Sequence, residues 1–171
     1  MRKRGFTLVE ILMVVVIMGI VASIVIPQLG SRDDLKLAAA ARTVMADLAY
    51  AQSRGISTQA RQYVVFSNGA YALRALNASN VLTTITHPIN PGNYTVNFDT
   101  GPLRGVSIAS TSFNGQTSVA FDELGSPVAF NPTTQTLSAL SGPGTIQMQS
   151  GGLTMTITIE AYTGEMSVTS P

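Results

Sequence analysis

The chain has 171 residues, 45% hydrophobic and 11% charged, with ten Lys and Arg against nine Asp and Glu for a formal charge of +1. It has no cysteine, which excludes disulfide staples and thiolate metal sites, and its single histidine, His87, means that any His-based metal site or triad would rest on one residue. Three of the basic residues are Arg2, Lys3 and Arg4; without residues 1 to 5 the balance is seven against nine, or −2, so the remainder carries no electrostatic bias toward nucleic acid.

After Gly5, residues 6 to 27 read FTLVEILMVVVIMGIVASIVIP, in which Glu10 is the one ionisable side chain. As a helix rising about 1.5 Å per residue the run spans roughly 33 Å, against a bilayer hydrocarbon core of about 30 Å. Its apolar side chains cover the whole circumference, which argues against a one-faced helix lying on a membrane surface. Three cations precede it and none follows until Arg32, a pattern that predicts a cytoplasmic N-terminus with everything beyond residue 27 exported. A carboxylate costs about 3 kcal/mol at the centre of a span and less near an interface. Glu10 lies one turn inside residue 6, and two readings stand. It is solvated at the cytoplasmic edge, or it awaits a cation that lipid does not supply, such as an amine on another chain. An ordinary secretory signal fits less well, because the apolar run exceeds roughly 15 residues and Val21-Ala22-Ser23 only weakly resembles a cut site. A plain single-span anchor fits the length and leaves Glu10 and the Gly5–Phe6 junction unexplained.

Past Pro27 the helical pattern resumes with polar residues. Ser31 is placed as an N-cap, with Asp33 and Asp34 in the first turn, where negative charge is favoured. Leu37, Ala41, Val44, Met45, Leu48 and Gln52 form a helical stripe that needs a surface to pack on, and Gly55 is read as its stop. Residues 38 to 41 are all alanine and permit close approach by a sheet or a helix. Beyond Gly55 the vocabulary is that of strands. Residues 62 to 66 and 70 to 73, joined by Asn68-Gly69, predict a hairpin with a type I′ turn. Further strands are expected over 81–86, 94–98, 105–109, 118–121, 128–130, 146–149, 153–160 and 166–169. Residues 153 to 159 alternate, so one face should be buried and the other solvated. The segment 77–102, rich in Pro and Asn, reads as an irregular loop.

The order is one N-terminal helix, hydrophobic then amphipathic, followed by an antiparallel β-domain, an α+β chain. The string Arg2-Lys3-Arg4-Gly5-Phe6-Thr7-Leu8-Val9-Glu10 ahead of an apolar helix resembles the class III signal of type IV pilins and type II secretion pseudopilins. That resemblance implies cleavage by prepilin peptidase between Gly5 and Phe6 and N-methylation of Phe6. It implies for Glu10 a role in assembly, neutralising the amino terminus of a neighbouring subunit, and for Pro27 a helix kink. The β-half resembles the H-type minor pseudopilins and the related T- and U-type minor pilins. The carrying residues are Ser118-Val119-Ala120-Phe121, Asp122, Gly125, Pro127, residues 144 to 148, residues 156 to 159 and Thr163-Gly164. The implied plan is a cleaved leader (1–5), a transmembrane and filament-core helix (6–27), an amphipathic half-helix (28–55) and a β-domain (56–171).

The function implied is that of a minor pseudopilin of a type II secretion system, at or near the tip of a periplasmic pseudopilus; the alternative is a minor pilin of a type IV pilus, serving adhesion, motility or DNA uptake. Implied partners are other major and minor pseudopilins, prepilin peptidase, the inner-membrane assembly platform, and secreted cargo or secretin. The implied location is the inner membrane, single-pass, with the C-terminal domain periplasmic. No cofactor, metal or catalytic residue is implied. His87 stands in a loop before Pro88, Asp122-Glu123 are neighbours that would point to opposite faces of a strand, and no Gly-rich phosphate loop with lysine is present. Some T-type minor pilins bind DNA through a basic C-terminal segment, whereas this chain has Thr163-Gly164-Glu165-Met166 there. Gly5→Val is expected to block maturation; unchanged mobility of the variant relative to the processed wild type on a denaturing gel would refute the assigned cut.

Overall fold

A computed structural model describes residues 7–28 and 32–170; Gly5, Phe6 and Ser31 lie outside the described residues. The chain forms two compact units, dividing after Arg32. In the first, α1 (Leu8–Gln28) starts at Thr7, whose hydroxyl accepts a hydrogen bond from the Glu10 amide at 3.3 Å. Threonine followed three residues later by glutamate is a helix-start signature, and it sets Glu10 in the first turn of α1. The large apolar side chains from Leu8 to Ile24 are 52% to 80% exposed all round the helix. The backbone is helical through Pro27 to Gln28. Among the described residues no helix is long and apolar enough to cross a membrane. The described side chains of α1 end at Ile24, a length of about 25 Å, and the sequence-based span 6–27 begins and ends outside them.

In the second unit, α2 (Asp33–Thr58) carries Asp33 and Asp34 in its first turn and an Asp33–Lys36 ion pair at 3.6 Å. Its stripe is buried at Leu37, Ala40, Ala41, Val44, Leu48, Ala51 and Gly55. The helix does not stop at Gly55, contrary to expectation. Gly55 is there for proximity, since a Cβ on it would lie 2.8 Å from the Asp122 carbonyl oxygen. The end comes one turn later, where Gln59 takes a left-handed φ of 49° and the Ala60 amide reaches back to the Gly55 carbonyl at 3.3 Å. That six-to-one bond is a Schellman closure with glutamine in the place glycine usually takes.

Eleven strands follow: β1 (Gln62–Ser67), β2 (Ala70–Leu76), β3 (Leu82–Thr84), β4 (Thr95–Asn97), β5 (Ser107–Ser112), β6 (Ser118–Phe121), β7 (Pro127–Asn131), β8 (Thr136–Ala139), β9 (Gly144–Ser150), β10 (Leu153–Ile159) and β11 (Met166–Thr169). The first sheet runs β3-β2-β1-β6-β7-β8, with β4 also on β2, and the second runs β11-β10-β9-β5; every pairing is antiparallel. Helix α2 packs on β1 and β6 of the first sheet and on β9 and β10 of the second. One core results, with Leu37, Val44 and Leu48 against Val64, Phe121, Ile146, Met148, Ile157 and Ile159. β10 buries Ile157 and Ile159 and leaves Leu153 exposed, so its alternation is realised toward its C-terminal end.

Two expectations need correction. The β1–β2 hairpin has the expected two-residue loop, but neither Asn68 nor Gly69 has a positive φ, so the turn is not type I′. Tertiary bonds govern it instead: the Asn68 carbonyl accepts from the Ile108 amide at 2.7 Å and the Gly69 carbonyl from the Phe98 amide at 2.8 Å. The segment 77–102 is a folded excursion, because β3 and β4 pair with opposite ends of β2 and Thr86 bridges Asn93. Strand β8 has every residue exposed, so the alternation of Leu137 and Ala139 marks no buried face, and no strand is expected there from the sequence.

Gly55→Ala tests the helix–turn approach. An added methyl against a backbone carbonyl costs about 1–3 kcal/mol, more than the roughly 1 kcal/mol that alanine gains in helix propensity. The urea midpoint of the full chain in detergent should fall; a rise would show that the contact relaxes freely.

Candidate functional site

The candidates for a site are the groups whose chemistry is left over after folding. The first is α1. A ring of exposed Leu, Ile, Val and Met side chains around one helix has no soluble resting place, since burying each such side chain is worth about 1.5–3 kcal/mol. Such a helix requires lipid or other helices around it. Glu10 is exposed on it, in its first turn. Of the positions singled out in the sequence, Glu10 and Pro27 fall on α1, while Gly5 and Phe6 lie outside the described residues.

The second is a carboxylate that sequence reasoning missed. Asp47, on α2, accepts a hydrogen bond from the Tyr71 hydroxyl of β2 at 2.5 Å and another from the Tyr94 hydroxyl at 2.8 Å. Tyr94 also stacks on Tyr50 at 5.5 Å between ring centroids and meets His87 at 4.3 Å. This latch fastens the excursion between β2 and β5 to α2. Both phenols are held well above their ordinary pKa, first by burial and then by the Asp47 charge and hydrogen bond. They stay protonated as donors, so the cluster is structural and offers no nucleophile. Spacing could not have revealed it, because Asp47, Tyr71 and Tyr94 are 24 and 47 residues apart.

The third is the pair of turns that carried the sequence resemblance. Asp122 does not pair with Glu123 for acid–base work; its Oδ1 accepts from the amides of Leu124 (3.0 Å) and Ser126 (2.7 Å), and Gly125 closes the turn at φ 84°. Gly164 closes the β10–β11 turn at φ 68°. The Gln52 side-chain amide donates to the Gly125 carbonyl at 2.9 Å and to the Thr163 carbonyl at 3.1 Å, so one residue of α2 holds both turns. His87 is likewise used locally, its Nδ1 accepting from the amides of Ile89 and Asn90, both at 3.1 Å.

A cleft of about 500 Å³ lies between the end of β1 and β5, lined by Phe66, Ser67, Asn68, Ile108, Ala109, Ser110, Thr111 and Thr117, with no titratable group. Among the described residues no cluster of three or more His, Asp or Glu side chains is placed to hold a metal ion.

Comparison with known proteins adds to this geometry. Residues 1–26 match the model of the prokaryotic N-terminal methylation motif, and residues 40–161 match that of the type II transport protein GspH. No curated protein matches the chain by sequence. Two solved structures of the minor pseudopilin EpsH from the type II secretion system of Vibrio cholerae are similar to it. One has a TM-score of 0.60 at 11% identity, covering 82% of this chain and 97% of that one. The other has a TM-score of 0.57 at 10% identity, covering 80% and 98%. The type IV minor pilin FimU of Pseudomonas aeruginosa has a TM-score of 0.51 at 15% identity, covering 81% and 94%. At these identities the likeness bears on the fold, an N-terminal helix followed by antiparallel β-sheet.

Replacing Tyr71 or Tyr94 by Phe removes one hydrogen bond to a carboxylate, a loss of about 1.5–3 kcal/mol each. The phenols' raised folded pKa also sets a sign. Their contribution is full below the unfolded phenol value of about 10 and declines as pH rises above it, because only the unfolded state then releases the protons. Denaturant midpoints taken across that range should fall more steeply for the wild type than for the double Phe variant; parallel curves would contradict the latch.

Proposed function

The chain belongs to the GspH family of type II transport proteins, and from that premise we propose that it works as a minor pseudopilin at or near the tip of a periplasmic pseudopilus that promotes the export of folded proteins. The observation that carries this reading is the joint occurrence, in one chain, of a methylation motif over residues 1–26 and the GspH pattern over 40–161. Membership in a pseudopilin family brings assembly with other pseudopilins. The role is structural and non-enzymatic. The minor-pilin alternative has the likeness of fold to FimU behind it.

In this reading prepilin peptidase cuts between Gly5 and Phe6 and Phe6 is N-methylated. Residues 6–27 hold the chain in the inner membrane as a single span, N-terminus toward the cytoplasm, with the β-domain in the periplasm. The membrane assembly platform extracts the chain into the fibre, where the apolar circumference of α1 exchanges lipid for neighbouring helices. Pro27 lets the helix bend as it leaves the membrane. The Glu10 carboxylate receives the amino terminus of an adjoining subunit there, so that neither charge is buried alone. The domain contacts other minor subunits, cargo or secretin from outside the fibre.

Glu10→Ala separates maturation from assembly. N-terminal sequencing should still find Phe6 first, while the amount of the variant in sheared fibres falls by about tenfold or more, as loss of one partner of a buried pair implies. Normal incorporation would remove Glu10 from the mechanism.

A further inference from the structure

The first sheet turns one face to α2 and the other outward. In register, Arg74, Tyr63, Ala120 and Val128 form a row across β2, β1, β6 and β7 on the outer face. Ala120 is small, and the rings of Tyr63 and Phe130 on either side of it come to 4.7 Å between centroids, at 60°. Beside them lies a groove of about 350 Å³ whose lining includes Arg61, Tyr63, Leu82, Phe130 and Leu137. It is aromatic and aliphatic at its floor and cationic at one side. Arg61 stands 3.6 Å from Glu123, and among the described residues Arg74 has no carboxylate within reach of an ion pair. The Nε atoms of both arginines are shielded from solvent and have no hydrogen-bond partner.

The opposite chemistry stands on the β10–β11 turn. Tyr162 is 81% exposed at its tip, with Glu160 and Glu165 exposed on either side. The turn is closed by the Glu160 amide on the Glu165 carbonyl (2.9 Å) and the Gly164 amide on the Glu160 carbonyl (3.0 Å), and Gln52 holds it at Thr163. An exposed tyrosine on a backbone already ordered is the kind of side chain that anchors interfaces at small entropic cost.

We propose that the β10–β11 turn of one copy docks into this groove on a second copy, Tyr162 against Tyr63 and Phe130, with Glu160 and Glu165 meeting Arg61 and Arg74. Every copy carries both the turn and the groove, so each can supply either half of the contact. It concerns the β-domains alone and stands or falls independently of the fibre reading.

The chain has no cysteine, so single cysteines report cleanly. Full-length Gln135→Cys, at the groove rim, and Thr163→Cys, on the turn, are mixed in detergent and oxidised. A disulfide-linked dimer is expected, with its yield reduced in about 1 M salt, where charges are screened beyond roughly 3 Å. Adding Arg74→Glu to the groove partner should cut the yield about tenfold; with Arg61→Glu added as well, Glu160→Arg and Glu165→Arg on the turn partner should restore it. Arg104→Glu, an exposed cation elsewhere, should leave the yield unchanged. Tyr162→Ala, which cannot disturb the core, should lower it as Arg74→Glu does. Absence of the dimer, failure of the charge exchange to restore it, or indifference to Tyr162→Ala would each overturn the proposal.

Discussion

Gly55 brings the α2 backbone into van der Waals range of the β6–β7 turn, and Ala40, Ala41 and Ala51 extend that close approach along the same stripe. The two sheets are separate ladders, and α2 lies against strands of both. Its larger residues, Leu37, Val44 and Leu48, fill the core, while its small ones set the distance. At that distance side chains can reach across: Asp47 to two phenols, Gln52 to two carbonyls. A bulkier stripe would bury as much apolar area and lose those polar ties, leaving the carbonyls of two turns to water and the excursion after β2 without its anchor.

Elements with strong periodicity could be read from the sequence, and those held by tertiary bonds could not. The stripe of α2, the β1–β2 hairpin and strands such as β6 and β11 follow from patterns of apolar residues and turn formers. The end of α2 was hidden because Gly55 serves packing and glutamine occupies the left-handed position. The Asn68-Gly69 turn departs from its usual form because β5 and the segment after β4 claim its carbonyls. The Asp47 cluster joins residues from three distant stretches, so no local signal points to it. The expectations at Gly5, Phe6 and Glu10 rest on the opposite kind of logic, a linear one: a basic triplet, a glycine and an acid at fixed spacing, matched over residues 1–26 by the methylation motif.

The two units pose opposite solvation problems. The second hides its apolar residues within itself; the first exposes nearly all of its own. Glu10 is the exception on α1, and its place in the first turn matters. There it faces the positive end of the helix dipole, which favours a carboxylate by about 0.3–1 kcal/mol. The acid is thus partly compensated by its own helix, an effect smaller than an ion pair and one that requires no partner.

Gln52 gives the β-domain a property that neither turn has alone. Its one amide group is shared between the Gly125 and Thr163 carbonyls, so the conformations of the two turns are thermodynamically linked. Anything that strains or steadies the 160–165 turn changes the free energy of the 122–126 turn by the same amount as the reverse perturbation would. Tyr162 and Leu124, both more than four-fifths exposed, stand on these two turns, so the two most exposed tips of this end of the domain share one tie to α2.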